Sequence, residues 1–281
     1  MSTWPASVKN FLQLQNGVDY VIAQHPNDRG DEITALMTYL GSPGNVQSKL
    51  AALNRLFKYQ MAPLPKVTWI DADTIEIEAC AVAMHSGNDY VFKENTSALQ
   101  IALSADLDTG SEAADTWYDV FLIGDSSGST YTAKFVLQGN TPSGATYYKK
   151  IFAVRNDGSS NILKLFQHEK YIALDVPIQI VSAASAGAWS SAISAAAAVP
   201  AISTRAVFGV YAANGASAAG VSIRPNGSTW IDDRCQIYNG GNAVMGFITS
   251  FLDSSQQIQY RNDYGDTDCE IHVCGFYINI R

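Results

Sequence analysis

The chain carries four histidines, His25, His85, His168 and His272, any of which could serve as a general base or a metal ligand. None stands in a G-x-S-x-G, H-E-x-x-H or P-loop spacing, the arrangements that would give an imidazole a nucleophile, a metal or a phosphate to act on. His25 precedes Pro26 and reads as a helix-end residue, where a cation suits the helix dipole. Closely spaced carboxylates come next, because two acids about 5–9 Å apart can cleave a glycosidic bond. Asp71 with Asp73 and Asp232 with Asp233 need no more than a turn to explain them. Glu76 and Glu78 share one face of an alternating strand and read as solvated. The run Asn262-Asp-Tyr-Gly-Asp-Thr-Asp268 is oxygen-rich like a calcium loop, lacks the EF-hand spacing, and has the composition of an inter-strand turn. The sequence therefore assigns no catalytic residue, no cofactor and no metal ligand.

Aromatic chemistry is better supplied, with 14 tyrosines and 5 tryptophans. Flat amphipathic rings suit sugars and subunit seams alike. Trp230, Asp232, Asp233, Tyr238 and Asn239 fall in a loop-like region near Asn226 and Gly227, and they are the candidate glycan contacts. The competing reading places these rings in the core or at an interface. Cys80, Cys235, Cys269 and Cys274 show no Cys-x2-Cys pair. They read as buried thiols, and the odd separation of Cys269 and Cys274 puts these two on opposite faces of one strand.

The elements that must position these residues follow from periodicity. Residues 1–62 read as short amphipathic helices that attach the chain to something else. Val18, Val21 and Ile22, then Ile33, Leu36, Met37 and Leu40, keep the helical spacing, and Val46, Leu50, Leu53 and Phe57 form a third stripe. After Met61-Ala-Pro-Leu-Pro65 the period becomes two. Residues 67–181 read as a central domain of short strands divided by Gly, Asn, Asp, Ser and Pro clusters, with strands at Thr74–Ala79, Ala98–Leu103, Trp117–Ile123, Tyr131–Leu137, Lys150–Arg155, Leu163–Gln167 and Tyr171–Val181. Residues 182–203, almost all Ala and Ser, read as a linker. Residues 204–281 read as a distal β-domain whose last strand, Cys269–Ile280, is apolar on both parities, as expected between a core and a subunit interface. The expected fold class is mainly β: N-terminal short helices, then two antiparallel β-sandwich or jelly-roll-like domains.

The chain has 281 residues, of which 47% are hydrophobic and 16% charged. No apolar run reaches the roughly 18 residues of a membrane span, and the opening Met1-Ser-Thr-Trp-Pro5 lacks the pattern of a signal peptide. The expected site of synthesis is a cytoplasm, without membrane insertion. Net charge is −8: residues 1–66 hold six basic and four acidic side chains, and the remainder twelve and twenty-two. An acidic body argues against a nucleic-acid partner.

Two segments carry a family resemblance. Ala113-Ala-Asp-Thr-Trp-Tyr-Asp-Val-Phe-Leu-Ile-Gly124, with Tyr147-Tyr-Lys-Lys-Ile-Phe-Ala-Val-Arg-Asn-Asp-Gly-Ser-Ser-Asn-Ile-Leu163, resembles a recurrent module of bacteriophage tail-fibre and related virion proteins. Lys150 stands where that module favours arginine, and Ala153 where it favours glycine. Gly17-Val-Asp-Tyr-Val-Ile-Ala-Gln-His-Pro-Asn-Asp28 and Glu32-Ile-Thr-Ala-Leu36 resemble the helical start of many phage appendage proteins. The resemblance implies a non-enzymatic structural subunit of a virion, a tail or head fibre made in the host bacterial cytoplasm. It also implies a homotrimer that contacts other phage virion proteins through its N-terminus and adheres to host-surface carbohydrate through its C-terminal domain. A capsid decoration or connector protein without receptor binding, and a glycan-cleaving tail enzyme, are the alternatives.

Overall fold

Short apolar runs punctuated by turn residues give strands, and nearly every described element of this protein is one. The computed structural model describes residues 12–13, 19–20, 64–86, 89–182, 187–213, 218–229, 235–241, 243–262 and 268–279. The chain divides into two compact units, Met1–Met61 and Ala62–Arg281. In the first, β1 (Leu12–Gln13) pairs antiparallel with β2 (Asp19–Tyr20). A helix was expected through Val18, Val21 and Ile22, yet Asp19 and Tyr20 are strand. Val18, Val21, Ile22, Ile33, Leu36, Met37 and Leu40 themselves lie outside the described residues, as do the helices expected there.

The second unit runs through β3 (Val67–Trp69), β4 (Thr74–Ile77), β5 (Ala81–Ser86), β6 (Asp89–Glu94) and β7 (Leu99–Ala102) to a single helical turn, α1 (Leu103–Asp106). There follow β8 (Trp117–Gly124), β9 (Thr132–Leu137), β10 (Tyr147–Arg155), β11 (Leu165–His168) and β12 (Tyr171–Val181). The remainder is β13 (Ile193–Ser194), β14 (Ser203–Ala213), β15 (Ala219–Pro225), β16 (Cys235–Asn239), β17 (Ala243–Phe251), β18 (Gln257–Asn262) and β19 (Asp268–Ile278). Among the described residues these form antiparallel sheets in the orders β3-β4-β7, β6-β5-β10-β8-β9, β11-β12-β19-β14-β17 and β13-β18-β15-β16. No helix among them is long and apolar enough to cross a membrane.

The segments 113–124 and 147–163 become neighbours. β8 and β10 pair along their length, and their ends are tied together. Asn156 donates from Nδ2 to the Ala113 carbonyl at 2.6 Å and accepts from the Thr116 amide at 2.8 Å, while the Tyr118 hydroxyl accepts from the Ala113 amide at 2.8 Å. Arg155 reaches Asp115 at 2.8 Å. Asp157 accepts the amides of Ser159 and Asn161 at 2.8 and 2.9 Å, which fixes the turn and holds its carboxyl below the ordinary value. Lys150 bonds the fully buried Asp119 at 2.5 Å and lies 5.4 Å from the centre of the Phe121 ring.

Strands from both sides of the Ala/Ser-rich stretch share one sheet. β12, expected in the central domain, pairs with β19 of the expected distal domain, so 182–203 does not separate two independent sheets. Nor is that stretch a free linker. Ala195, Ala198 and Val199 are fully buried, and the Ala196 carbonyl accepts from the Trp117 indole at 3.0 Å. Small side chains let this segment come close, and Trp117 in turn meets Phe276 edge-on at 5.7 Å. A single apolar core runs from Val67 to Ile278.

Candidate functional site

The five-stranded sheet β11-β12-β19-β14-β17 has one face in that core and one facing water. On β14, Ala206, Phe208, Val210 and Ala212 point inward and are buried, which leaves Arg205, Val207, Gly209 and Tyr211 outward. On β17, Val244, Ile248 and Ser250 are buried, and Met245, Phe247 and Phe251 are 80%, 73% and 52% exposed. β19 departs from simple alternation. A register shift opposite Val207 and Phe208 inserts an extra residue, so Cys269, Ile271 and Val273 point inward, Cys274 outward, and Phe276 and Ile278 inward again. The even two-parity pattern expected for Cys269–Ile280 is corrected by that bulge.

Register sets the outward side chains in rows across the strands. At one end Arg205 lies between Phe251 and Tyr277, its guanidinium 4.4 and 5.6 Å from the ring centres, and Tyr171 lies 5.1 Å beyond Tyr277. Next come Thr249, Val207 and Gly275, then Phe247, Gly209 and His272, then Met245, Tyr211 and Glu270. Two glycines shape the surface. A Cβ on Gly275 would sit 2.5 Å from the Ile172 carbonyl oxygen and 2.6 Å from the Tyr171 hydroxyl, so the Tyr171 ring lies directly over it. A Cβ on Gly209 would sit 2.8 Å from Cys274 Sγ. Gly209 and Gly246 floor a trough of about 510 Å³ walled by Pro177, Tyr211, Met245 and Phe247. A second hollow, about 600 Å³, lies beside Tyr171 and Tyr277 and is lined by Leu64, His168, Glu169 and Lys170. Burial pushes the Cys274 thiol and the Tyr171 phenol up, so both are neutral near pH 7. Such a face offers contact area and a few fixed charges.

The residues singled out from the sequence fall elsewhere. Trp230, Asp232 and Asp233 lie outside the described residues. Tyr238 and Asn239 were expected in a loop and instead end β16, because Cys235-Gln-Ile-Tyr-Asn pairs along β15. Asn239 is occupied in the turn that follows, donating to the Ala243 carbonyl at 2.8 Å and accepting from the Gly241 amide at 3.3 Å. Asn226 bonds Asp253 and Gln257. Asp71 caps the Asp73 amide, and Asp73 takes the Ser104 amide and hydroxyl. Glu76 accepts from Gln100. Among the described residues no three His, Cys, Asp or Glu side chains converge as a metal site.

Met245, Phe247 and Phe251 were not singled out from the sequence. Their signal was present, since Ala243–Phe251 is apolar on both parities, as a strand covered on two faces would be. No family model and no curated protein matches the chain.

Proposed function

We propose that the chain is a non-enzymatic structural subunit of a bacteriophage virion, a fibre or appendage protein that works by assembling and adhering. The observation that carries this reading is the outward face of the five-stranded sheet, where Met245, Phe247 and Phe251 stand largely exposed along one strand, β17. An isolated chain gains nothing by keeping such a face in water, whereas an assembling one needs it. The resemblance of 113–124, 147–163 and 17–36 to phage appendage segments supplies the setting. In this reading residues 1–62 bind other virion proteins, copies of the chain bind one another, and the resemblance implies three of them.

Adhesion to a host-surface glycan has its own support in the hollow beside Tyr171 and Tyr277, where two aromatic rings adjoin His168, Glu169 and Lys170. Antiserum raised against the recombinant chain tests the main reading by immunogold labelling of particles from the producing host. Labelled appendages are expected, and label confined to particle-free material overturns the reading. Binding of the fluorescent chain to bacterial envelopes, abolished by Tyr277→Ala, tests the adhesive part.

A further inference from the structure

We infer that the outward face of β12, β19, β14 and β17 is the docking site for a second copy of this chain, packed face to face with its strands reversed. The inference rests on the assembly reading above and deepens it, with pairs of chains in place of the three copies that the resemblance implies. Its first support is area. Four strands about 4.8 Å apart, each presenting about eight residues at roughly 3.3 Å, cover on the order of 500 Å² per copy. Two such faces bury on the order of 1,000 Å², the lower bound of a specific interface.

Charge decides the orientation. Arg205 marks one end of the face, and Glu270 marks the other, beside Tyr211. The seven residues from Arg205 to Tyr211 span roughly 20 Å. A two-fold axis that lies in the interface and crosses the strands near Val207 and Gly209 sets each Arg205 against the partner's Glu270. Any arrangement that brings like ends together, including three copies about an axis along the strands, sets Arg205 beside Arg205 and Glu270 beside Glu270. Like charges at a desolvated seam oppose association, so the reversed pairing is favoured. Shape agrees. The axis passes beside the trough floored by Gly209, which has room for a partner's side chain to enter.

The test is a charge exchange in the full-length chain, read by sedimentation equilibrium at low salt. Arg205→Glu and Glu270→Arg should each weaken association by about tenfold or more, and the double variant should recover to within a few-fold of the parent. Phe247→Asp, on a side chain 73% exposed in the single copy, should give a monomer whose melting temperature lies within roughly 2–4 °C of the parent's at a dilution where both are monomeric. Single exchanges without effect, or a double variant no better than the singles, overturn the inference. So does an undiminished assembly of Phe247→Asp, and in each of these cases the assembly reading still stands. A parent chain that stays monomeric overturns both, and a melting temperature lowered by Phe247→Asp would then show the face covered within its own chain.

Discussion

Phe247 and Phe208 belong to adjacent strands of the same sheet and differ only in which way they point, so truncating each to alanine separates assembly from folding. Phe247 is 73% exposed and Phe208 fully buried. Burying a phenylalanine side chain stabilises by about 1.5–3 kcal/mol, so covering the exposed part of Phe247 is worth roughly 1–2 kcal/mol per copy. A two-fold interface counts it twice, about 2–4 kcal/mol, or roughly 30- to 1,000-fold in dissociation constant. The contacts Phe247 makes within its own chain are worth well under about 1 kcal/mol, which lowers Tm by no more than roughly 2–4 °C. Phe208→Ala should show the reverse signature: about 3–5 kcal/mol of fold stability lost to a core cavity. Sedimentation velocity over a dilution series reads the first quantity, and thermal unfolding of the dilute protein reads the second. The reasoning is refuted if Phe247→Ala lowers Tm as far as Phe208→Ala does while the association constant stays put.

Three further outcomes follow from particular contacts. Gly275→Ala drives a Cβ to 2.5 Å from a backbone carbonyl that cannot swing aside, so it should cost about 3 kcal/mol or more and lower Tm by roughly 6–12 °C; an unchanged Tm contradicts the packing of Tyr171. Lys93 is buried and its ammonium bonds Asp125 and the carbonyls of Ser127 and Gly128. Lys93→Met keeps the stem and loses those bonds, so amides from Ser127 to Tyr131 should exchange faster while β8 and β10 stay protected. Backbone bonds from Asn161 and Ser159 depress the Asp157 carboxyl below 3.8, so what they contribute is fully present above that value and is lost as pH falls through the lower folded one. An NMR titration should show the 157–161 turn loosening only in that acid window, and Asp157→Asn should abolish the transition.

Local pattern carried most of the strands because their alternation is set residue by residue. Tyr171–Val181 matches β12 at both ends, and Trp117–Ile123 falls one residue short of β8. β5 and β6 escaped notice because Ala81-Val-Ala-Met is too small and too evenly apolar to alternate, and Lys93 is buried where a charge reads as outward. What pairs with what is not local. β12 meets β19 about a hundred residues later, and composition cannot show that Ala195, Ala198 and Val199 are buried, or that the Ala196 carbonyl takes the Trp117 indole, rather than the segment running free. The site was half legible. The two-parity pattern of β19 announced a second covered face, and Ala243–Phe251 carries the same signal, but the bulge at Cys274 and the adjacency of the two patterns emerge only once the strands are side by side.

The mass of the full-length chain in solution, measured by light scattering across a concentration series, tests the central claim most directly. The account requires a stable multimer, and the reversed packing of the sheet face requires two chains or a multiple of two. A monomer at every concentration would contradict assembly as the work of this protein. A strict trimer would keep assembly and contradict the two-fold seam.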